Sequence, residues 1–574
     1  MPHKILCVDK REVLCYDVLM FVRIKKSASR QTAVQLVEGY RDVVTGRVKQ
    51  RVVRHIGYGS TDEEVARLKE LGQHLKQEIM SSVQPSLFGP ESLPIQPKTD
   101  KASIEDYKVE DMRKLRTHEQ VMTGIHEVYG YQFDKLGFGS ILSHPSRKLH
   151  SQKVIRDIVL ARIANPDSKR ASVRFLSEQC GIRLNLDSVY NAMDYIDDNA
   201  IERIQGKALG AAQNLFQEKI DVLFYDATTL YFESFTEDEL RAKGFSKDRK
   251  SQEVQILLSI FVTQKGIPIG YDLFPGSTYE GHTLLSALDK LKHRFIVDKV
   301  VFVADSGMLQ EENIAMLEKH GYQYIVGARL KNMSKRVQCQ ILSQDGRTSL
   351  AEGDDEQLQG KVIDLGKGKS LVVTHSSKCA RKDAHDRESA LAKLESALNK
   401  GKSVKSMLSN SGYKKYMLLE GESSIGIDQE KIAEAQKWDG VHGLVTNMAS
   451  IDMVEVVSHY RGLWQVEETF RVSKHDLKVR PIYHWTERRI KAHIALCFMA
   501  LVCVRHMEYR MLLSNKKMSP RRIKEALTTV GMTTLIQIED KRKFAIPFNP
   551  SDDARAIYKA NNLSLSTTPF LLSR

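Results

Sequence analysis

The sequence predicts an α/β protein that begins with a small β-rich domain and a helical region. Two observations carry this fold class. From residue 219 onward, short runs that are apolar on both faces alternate with amphipathic helical segments, as in a sheet of mixed strand direction. Before residue 60, apolar residues alternate with polar or basic ones, as in half-buried strands. The chain has 574 residues, which is enough for several domains.

The N-terminal domain is predicted over residues 1–84, with 1–19 interpreted as an upstream-start extension. Three alternating runs, FVRIKK, TAVQLVEGYRDV and RVKQRVVRHIGYG, predict an antiparallel sheet. Thr61 is expected to cap a helix that follows. We expect five basic residues on one side of the sheet, and the first four of them as DNA contacts: Arg23, Lys25, Lys49, Arg51 and Arg54.

Charge and cysteine content narrow the function. The net charge is +14, and residues 1–60 carry twelve Lys/Arg against five Asp/Glu, so half of the excess lies in one tenth of the chain. Such a patch favours a polyanion, most simply DNA. Seven cysteines without a CxxC pair argue against a zinc site and a secreted disulfide framework. We expect no membrane span and no signal peptide. For a protein that binds DNA, the expected location is the cytoplasm, in association with the nucleoid.

A proline-rich linker is predicted over residues 85–104, followed by a helical DNA-binding domain over 105–218. Four prolines fall between Pro85 and Pro97. In NPDSKRASVRFLSEQCG a turn leads into a helix that carries Lys169, Arg170 and Arg174. Two interpretations stay open, a plain helical bundle and a DNA-contacting helix-turn-helix.

An α/β core is predicted in two parts, 219–330 and 451–513, separated by a β-rich insertion over 331–450. The first part begins with the strand VLFYD, continues with two strands joined by a turn at Lys265–Gly266, and includes the strand VVFVAD. Two helices form the second part. A helical tail is expected over 514–574.

Two aspartates in this core share one context. Asp226 and Asp305 each end a run that is apolar on both faces, and small polar residues follow each of them. A carboxylate at the end of a buried strand can face a crevice and ligate a cation. For either aspartate alone the favoured alternative is a turn or a helix cap. Because two such sites occur together with a third acid, the metal-ligand interpretation is favoured for the set.

The third acid lies in YRGLWQVEETFRVSK. Tyr460, Glu467 and Lys474 are spaced by seven residues, and seven residues turn an α-helix to within ~20° of two full turns. One stripe of a continuous helix therefore carries all three, with Trp464 and Arg471 beside it. The alternative is an amphipathic helix with a solvated Glu467–Arg471 pair.

Phosphoryl transfer explains this combination of residues. Two divalent metal ions can stabilise the attacking and leaving oxygens of an in-line displacement, and oxygen-rich sites suit Mg²⁺ or Mn²⁺. Lys474 and Arg471 are expected to hold phosphates, as a point charge and a fork respectively. Tyr460 is expected to hydrogen-bond a phosphate or to stack near a terminal base.

These motifs resemble the DDE transposases of bacterial insertion sequences. The residues that carry the resemblance are Asp226 in YDATTLYFE, Asp305 in VADSGM, and the spacing of Tyr460, Glu467 and Lys474. The resemblance is to the group whose signature is Tyr, Arg, Glu, Lys at offsets 0, 3, 7 and 14. Offset 3 is Leu463 here, a departure, and Arg461 at offset 1 is a candidate substitute.

The resemblance implies an RNase-H-like core interrupted by a β-rich insertion, with Asp226, Asp305 and Glu467 as catalytic metal ligands. It implies an enzyme that binds terminal inverted repeats as a homodimer in a synaptic complex, cuts the DNA and joins 3′-OH ends to target DNA. Further DNA contacts are expected from residues of the signature helix and the insertion: Tyr460, Arg461, Trp464, Arg471, Lys474 and Trp438.

Three alternatives stay open. A tryptophan packed in the core is the favoured interpretation of Trp438, with capture of a flipped base as the other. A metal-dependent nuclease of the same fold would cleave without strand transfer. A DNA-binding regulator derived from a transposase predicts loss of an acid, whereas all three are present.

Overall fold

The computed structural model of the protein describes most of the chain. The described residues are 19–26, 31–41, 48–83, 112–144, 148–216, 222–232, 236–244, 253–279, 283, 301–305, 311–350, 358–400, 415–420 and 424–572. Residues 1–18 of the proposed extension 1–19 and the linker 85–104 lie outside them. The chain divides into two compact units, described in turn: the first comprises Met1–Lys135, Arg156–Val189 and Cys503–Arg574, and the second comprises Leu136–Ile155 and Tyr190–Val502.

The first unit opens with the predicted antiparallel sheet. Its strands are β1 (Leu19–Lys26), β2 (Thr32–Arg41) and β3 (Val48–Gly59), followed by helix α1 (Asp62–Val83). Thr61 and Glu64 form a reciprocal cap, because the Glu64 N–H donates to Thr61 Oγ1 at 3.2 Å and the Thr61 N–H donates to Glu64 Oε2 at 3.3 Å. The cap predicted at Thr61 is therefore confirmed.

The register of this sheet corrects the predicted basic side. Arg23 lies opposite Gln35, and Gln35 lies opposite His55, whereas Arg51 lies opposite Glu38. Since partners in adjacent strands share a face and neighbours along a strand alternate, the basic residues divide between two faces. Arg23 and Lys25 form what we call the Arg23 face. The Lys49 face, on the other side, carries Lys49, Arg51 and Arg54.

A second sheet in this unit corrects the predicted helical tail. Strand β4 (Leu115–Met122) lies within the region predicted to be helical, and three strands follow in the tail: β16 (Gly531–Gln537), β17 (Lys543–Pro547) and β18 (Phe570–Leu572). They form an antiparallel sheet in the order β18-β17-β16-β4. The helices around it are α2 (Gly124–Lys135), α14 (Pro520–Thr528) and α15 (Asp552–Ala560).

The helix predicted after NPDSKR is present. Helix α3 (Leu149–Ala164) is followed by α4 (Lys169–Cys180), whose first turn is capped by Ser168 Oγ accepting from the Ala171 N–H. Lys169 is buried, whereas Arg170 and Arg174 are exposed. DNA contact by α4 stays a prediction, and only the two arginines have the exposure that it requires.

The second unit contains the predicted core strands in one sheet. Among the described residues, nine strands pair in the order β10-β11-β12-β15-β9-β8-β5-β6-β7. The core strands are β5 (Val222–Tyr231), β6 (Gln255–Thr263), β7 (Pro268–Pro275), β8 (Val301–Ala304) and β9 (Gln323–Gly327). Strand β5 is parallel to β8, and β8 to β9, while β5, β6 and β7 form an antiparallel meander. Helices α6 (Asp198–Phe216) and α7 (Glu311–Lys319) belong to this unit, as does helix α5 (Leu186–Asp194) from Tyr190 onward.

Strands of the predicted insertion extend this sheet at β9. They are β10 (Thr348–Ser349), β11 (Leu358–Gly366), β12 (Lys369–Ser376) and β15 (Val441–Thr446), whereas β13 (Met417–Glu420) and β14 (Ser424–Ile427) form a separate hairpin. The segment also contains helices α8 (Lys335–Leu342), α9 (Ser377–Asn399) and α10 (Gln429–Gln436). The insertion strands are thus continuous with the core sheet.

Three helices and a π-helical turn follow. They are α11 (Met453–Arg461), α12 (Trp464–Arg471), the π turn Val472–Asp476 and α13 (Glu487–Leu513). By length and composition α13 could cross a membrane, but 94% of its most apolar 18-residue window is buried inside the protein. Burial of this kind is typical of a core helix, so α13 is weak evidence for a membrane span.

Candidate active site

The register of two parallel strands makes the first two acids neighbours. In the β5–β8 pairing, Phe224 lies opposite Val303, and two residues further along each strand are Asp226 and Asp305. Adjacent strands are about 4.8 Å apart, so the two carboxylates emerge as neighbours. Asp305 directly follows β8, as predicted, but β5 continues to Tyr231, so Asp226 lies within a strand. Asp226 is half-buried, and it therefore avoids the desolvation that full burial of a charge would impose.

The residues from Tyr460 to Lys474, which we call the signature segment, contact the face of β5 that carries Asp226. Side chains alternate along a strand, so Phe224, Asp226 and Thr228 share this face. A Cβ added to Gly462 would lie 2.4 Å from Cζ of Phe224. The Lys474 ammonium donates to Thr228 Oγ1 at 2.5 Å. The segment therefore contacts β5 on both sides of Asp226.

Glu467 is carried between those two contacts. It lies in the first turn of α12, a helix that packs on β5 and β6, and its side chain is exposed. Val466 and Phe470 in the same helix are buried, which fixes the packed side of α12. The segment that holds Glu467 thus contacts β5 two residues before Asp226, at Phe224, and two residues after it, at Thr228.

The continuous helix expected from Tyr460 to Lys474 is interrupted twice. Helix α11 ends at Arg461, α12 begins at Trp464, and the π turn begins at Val472. In the π turn the Leu477 N–H donates to the Val472 carbonyl at 2.9 Å, a five-residue step that widens the helix. The prediction of one straight stripe is therefore wrong. Spacing by seven assumes uniform α geometry, which neither break preserves.

The pKa of the Tyr460 phenol is affected by two of the three acids. Burial, and after it the negative charges of Asp305 and Glu467, together raise the pKa of Tyr460 to about 12. Each of those charges must lie near the phenol to have this effect. Tyr460 therefore links Asp305 and Glu467 electrostatically and remains a neutral hydrogen-bond donor at physiological pH.

Arg471 pairs within its own segment. Its Nε and Nη2 each donate to Glu468 at 2.7 Å, and Nη1 lies 3.4 Å from Asp476. The solvated Glu467–Arg471 pair considered from sequence is replaced by this arrangement, which bridges α12 and the π turn. Arg471 thereby links the two ends of the turn that carries Lys474.

Whether this site suits a divalent cation depends on which donor atoms it offers and where they lie. Within the part of the chain that the structure describes, no three His, Cys, Asp or Glu side chains lie close enough to hold one metal ion. Mg²⁺ needs fewer protein ligands, because it retains several waters and typically takes one or two carboxylates plus substrate phosphates. The neighbouring Asp226 and Asp305 fit such a site, and Glu467, on the helix that packs against β5, is a candidate for a further ligand.

A cleft of about 1200 Å³ opens beside these residues. Asp305, Tyr460 and Arg461 line it from the core side. From the insertion side it is lined by Trp438, which is 8% exposed, and by Lys331, whose Nζ lies 5.7 Å from the Trp438 ring centroid. Its basic lining residues are Arg329, Lys331, Arg387, Lys393, Lys415 and Arg461, and its acidic ones are Asp305, Asp383, Asp386 and Asp439.

The remaining predicted contacts are distributed as follows. Trp464 is 55% exposed at the start of α12. Arg23, Lys25, Lys49 and Arg51 belong to the first unit and are described there. Sequence reasoning missed Gly462 and Thr228. Alternation along β5 could have identified Thr228, because it lies two residues after Asp226, whereas the need for glycine at 462 depends on a close approach that no local pattern predicts.

Comparison with known families gives two matches along the chain. Residues 217–503, half of the chain, match the transposase DDE domain family, and this range includes all three acids. Residues 22–85 match the N-terminal domain of IS1634 family transposases. No curated protein matches the sequence.

Several solved transposase structures are similar at low identity. A piggyBac transposase synaptic complex with hairpin DNA is 10% identical, with a TM-score of 0.36, covering 71% of this chain and 76% of that one. A pre-cleavage Mos1 transpososome is 13% identical, with a TM-score of 0.14 and coverages of 28% and 54%. A Mos1 paired-end complex with the left transposon end is 13% identical, with a TM-score of 0.14 and coverages of 46% and 77%. The two family matches carry the assignment.

Proposed function

The chain belongs to the DDE transposase family of bacterial insertion sequences, and from this premise we propose how its own residues carry out transposition. As a member it is a metal-dependent phosphoryl-transfer enzyme that acts on DNA. We propose that it binds the terminal inverted repeats of its element, cleaves the DNA there and joins the resulting 3′-OH ends to target DNA.

The proposed catalytic core is RNase-H-like and consists of β5 to β9. The support is the strand order β7-β6-β5-β8-β9, with an antiparallel meander on one side of β5 and parallel neighbours on the other. The first acid lies on the central strand and the second at the end of its parallel neighbour. We assign residues 331–450 to the insertion and the regions 1–84 and 105–218 to DNA binding.

The three acids are proposed as the ligands of the divalent ions, with Mg²⁺ the best match to an all-oxygen donor set and Mn²⁺ the alternative. Bound there, two such ions would stabilise the attacking and leaving oxygens of an in-line displacement. Asp226 and Asp305 supply the fixed pair of ligands. Glu467 completes the set from α12.

The cationic and aromatic residues of the signature segment are proposed to hold the DNA strand that is cut. Lys474, placed beside Asp226 through Thr228, is positioned to bind a phosphate of that strand as a point charge. Tyr460 donates a hydrogen bond to a phosphate and stays protonated. Arg461, Trp464 and Trp438 extend the contact surface, and Arg461 and Trp438 do so along the cleft.

One observation carries this proposal: Gly462 and Lys474 contact β5 at the residues that flank Asp226 on the same face. Together with the β5–β8 register, which makes Asp226 and Asp305 neighbours, it supports the proposal that the three acids of separate segments converge on one site. A regulator without catalytic function has no need of this convergence.

The test is a cleavage and joining assay with purified protein, DNA carrying the inverted repeats that flank the gene, and a supercoiled target plasmid. We expect Mg²⁺-dependent cleavage at the repeat ends and covalent products in which 3′ ends are joined to the target. Cleavage without joined product would instead favour a nuclease. Binding to the repeats without cleavage would favour the DNA-binding regulator.

Two DNA ends must be held together for this reaction, so we propose a homodimer in the synaptic complex. Its site of action is the nucleoid in the bacterial cytoplasm. Analytical ultracentrifugation with repeat DNA tests the assembly, and a stoichiometry of one protein per two ends would refute the dimer.

A further inference from the structure

The hydroxyl of Thr228 lies in the candidate site, between the strand that carries Asp226 and the segment that carries Lys474. The proposed function gives this hydroxyl no role. Thr228 is buried, with 5% of its surface exposed, and it lies two residues after Asp226 on the same face of β5. Positions two apart along a strand are about 6.6 Å apart. A group bonded to Thr228 is therefore held within one side-chain length of the Asp226 carboxylate.

The group bonded to Thr228 is the ammonium of Lys474. Lysine has a flexible four-carbon stem and about 2 kcal/mol of rotamer entropy, so an unrestrained lysine is a poorly positioned cation. Two features restrain this one. The hydrogen bond to Thr228 Oγ1 fixes its tip at 2.5 Å, and the buried neighbours Val472 and Ser473 fix its base.

The π turn is part of the same arrangement. In an uninterrupted α-helix, Lys474 would lie within ~20° of Glu467. The wider turn changes the direction of the lysine away from that line, and the bond to Thr228 is made in the changed direction. Arg471, bonded to Glu468 and close to Asp476, spans the start and end of this turn.

We infer that Thr228 is a positioning residue that holds the Lys474 ammonium beside Asp226, where it meets a phosphate of the strand being cut. This inference rests on the proposed function and deepens it. The hydroxyl does not contact the reacting atoms. It acts through the lysine, so removing it should have an effect only while the lysine is present.

Four single variants and one double variant test this dependence, with a fifth single variant in reserve. Thr228→Val removes the hydroxyl at nearly constant volume, and Thr228→Ser retains it. Thr229→Val is the matched control, because Thr229 is equally buried at 5% and faces the other side of β5. Lys474→Ala removes the cation, and it is combined with Thr228→Val in a double-mutant cycle. Thr228→Ala serves as a second hydroxyl-free variant if the valine lowers the melting temperature relative to the control.

The first readout is Mg²⁺-dependent cleavage of repeat ends. We expect Thr228→Val to reduce the rate about 10- to 100-fold, with Thr228→Ser within about threefold of wild type and Thr229→Val unchanged. In the Lys474→Ala background, Thr228→Val should have no further effect. Independent, multiplying losses would overturn the inference, as would wild-type cleavage by Thr228→Val.

The second readout is binding of the same DNA in EDTA as a function of salt. Loss of one phosphate contact lowers the slope of log K against log salt by about 0.9. We expect this decrease for Lys474→Ala and a decrease in the same direction for Thr228→Val, with no change for Thr228→Ser or Thr229→Val. An unchanged slope for Thr228→Val overturns the inference. If wild-type protein binds but does not cleave, the proposed function fails, and this second readout still decides the role of Thr228.

Discussion

Gly462 is the position at which a single methyl group should separate the signature segment from the catalytic strand. The glycine has ordinary backbone angles, so its requirement is one of space. A Cβ at this position would lie 2.4 Å from Cζ of Phe224, a fully buried ring of β5. Carbon atoms in contact are about 3.5–4.0 Å apart, so the two elements must separate by about 1 Å or more.

The expected magnitude follows from that displacement. Overpacking a filled core costs about 1–3 kcal/mol of folding stability. The catalytic cost is larger, because Glu467 lies five residues after Gly462 on an element that must move away from Asp226. A displacement of about 1 Å at a catalytic group can cost about 100-fold in rate. We therefore expect Gly462→Ala to fold, to melt at a lower temperature and to cleave repeat DNA about 100-fold more slowly.

The assay compares cleavage and thermal unfolding of Gly462→Ala, Phe224→Leu and the double variant. Leucine lacks the distal ring atoms, so it makes room for the methyl group at a cost of about 1 kcal/mol by itself. Most of the lost cleavage should return in the double variant. Wild-type cleavage by Gly462→Ala, or no recovery in the double variant, would refute the close packing of Gly462 on Phe224.

Three further predictions concern the acids, the phenol and the basic sheet. Alanine at any of the three acids should abolish cleavage and spare DNA binding, measured by gel shift, whereas Glu468→Gln should be much milder; equal loss would contradict the placement of Glu467. Because the pKa of Tyr460 is raised to about 12, its phenol should remain protonated from pH 7 to 10, so DNA affinity against pH should run parallel in wild type and Tyr460→Phe. A break near pH 8 or 9 present only in wild type would contradict this. Neutralising the Arg23 face and the Lys49 face separately should reduce the salt slope of binding unequally, since one duplex contacts one face of a sheet; equal reductions would argue against a single docking face.

The strands and acids of the core were predictable because their signals are local. Runs apolar on both faces predicted β5 and β8, and the turn at Lys265–Gly266 is present, with Gly266 at φ 80° between β6 and β7. The position of Asp305 after β8 followed from the same pattern. Asp226 was expected at a strand end, but Thr228 and Thr229 are β-branched and continue β5 beyond it.

What could not be predicted depends on partners distant in sequence. The sheet of the tail includes β4, which pairs with β16 and comes from a region predicted to be helical. The basic residues divide between two faces because of the register between β2 and β3. Alternation within a single strand does not predict the register with its neighbour. The π turn contains no glycine or proline from which it could be predicted. It is associated with the bond from Lys474 to Thr228 across the site.

The two interruptions of the signature helix have a geometric reason. Phe224 and Thr228 are four residues apart on a strand, a distance of about 13 Å, whereas Gly462 and Lys474 are twelve residues apart, or about 18 Å along a continuous α-helix. A straight helix of that length would reach past one contact while meeting the other, and the twist of the sheet would carry its ends away from β5. A break at Gly462 and a widened turn at Lys474 shorten and redirect the segment, so both ends meet the strand. Glu467, between them in sequence, is then carried by a helix that is held against β5 at both ends.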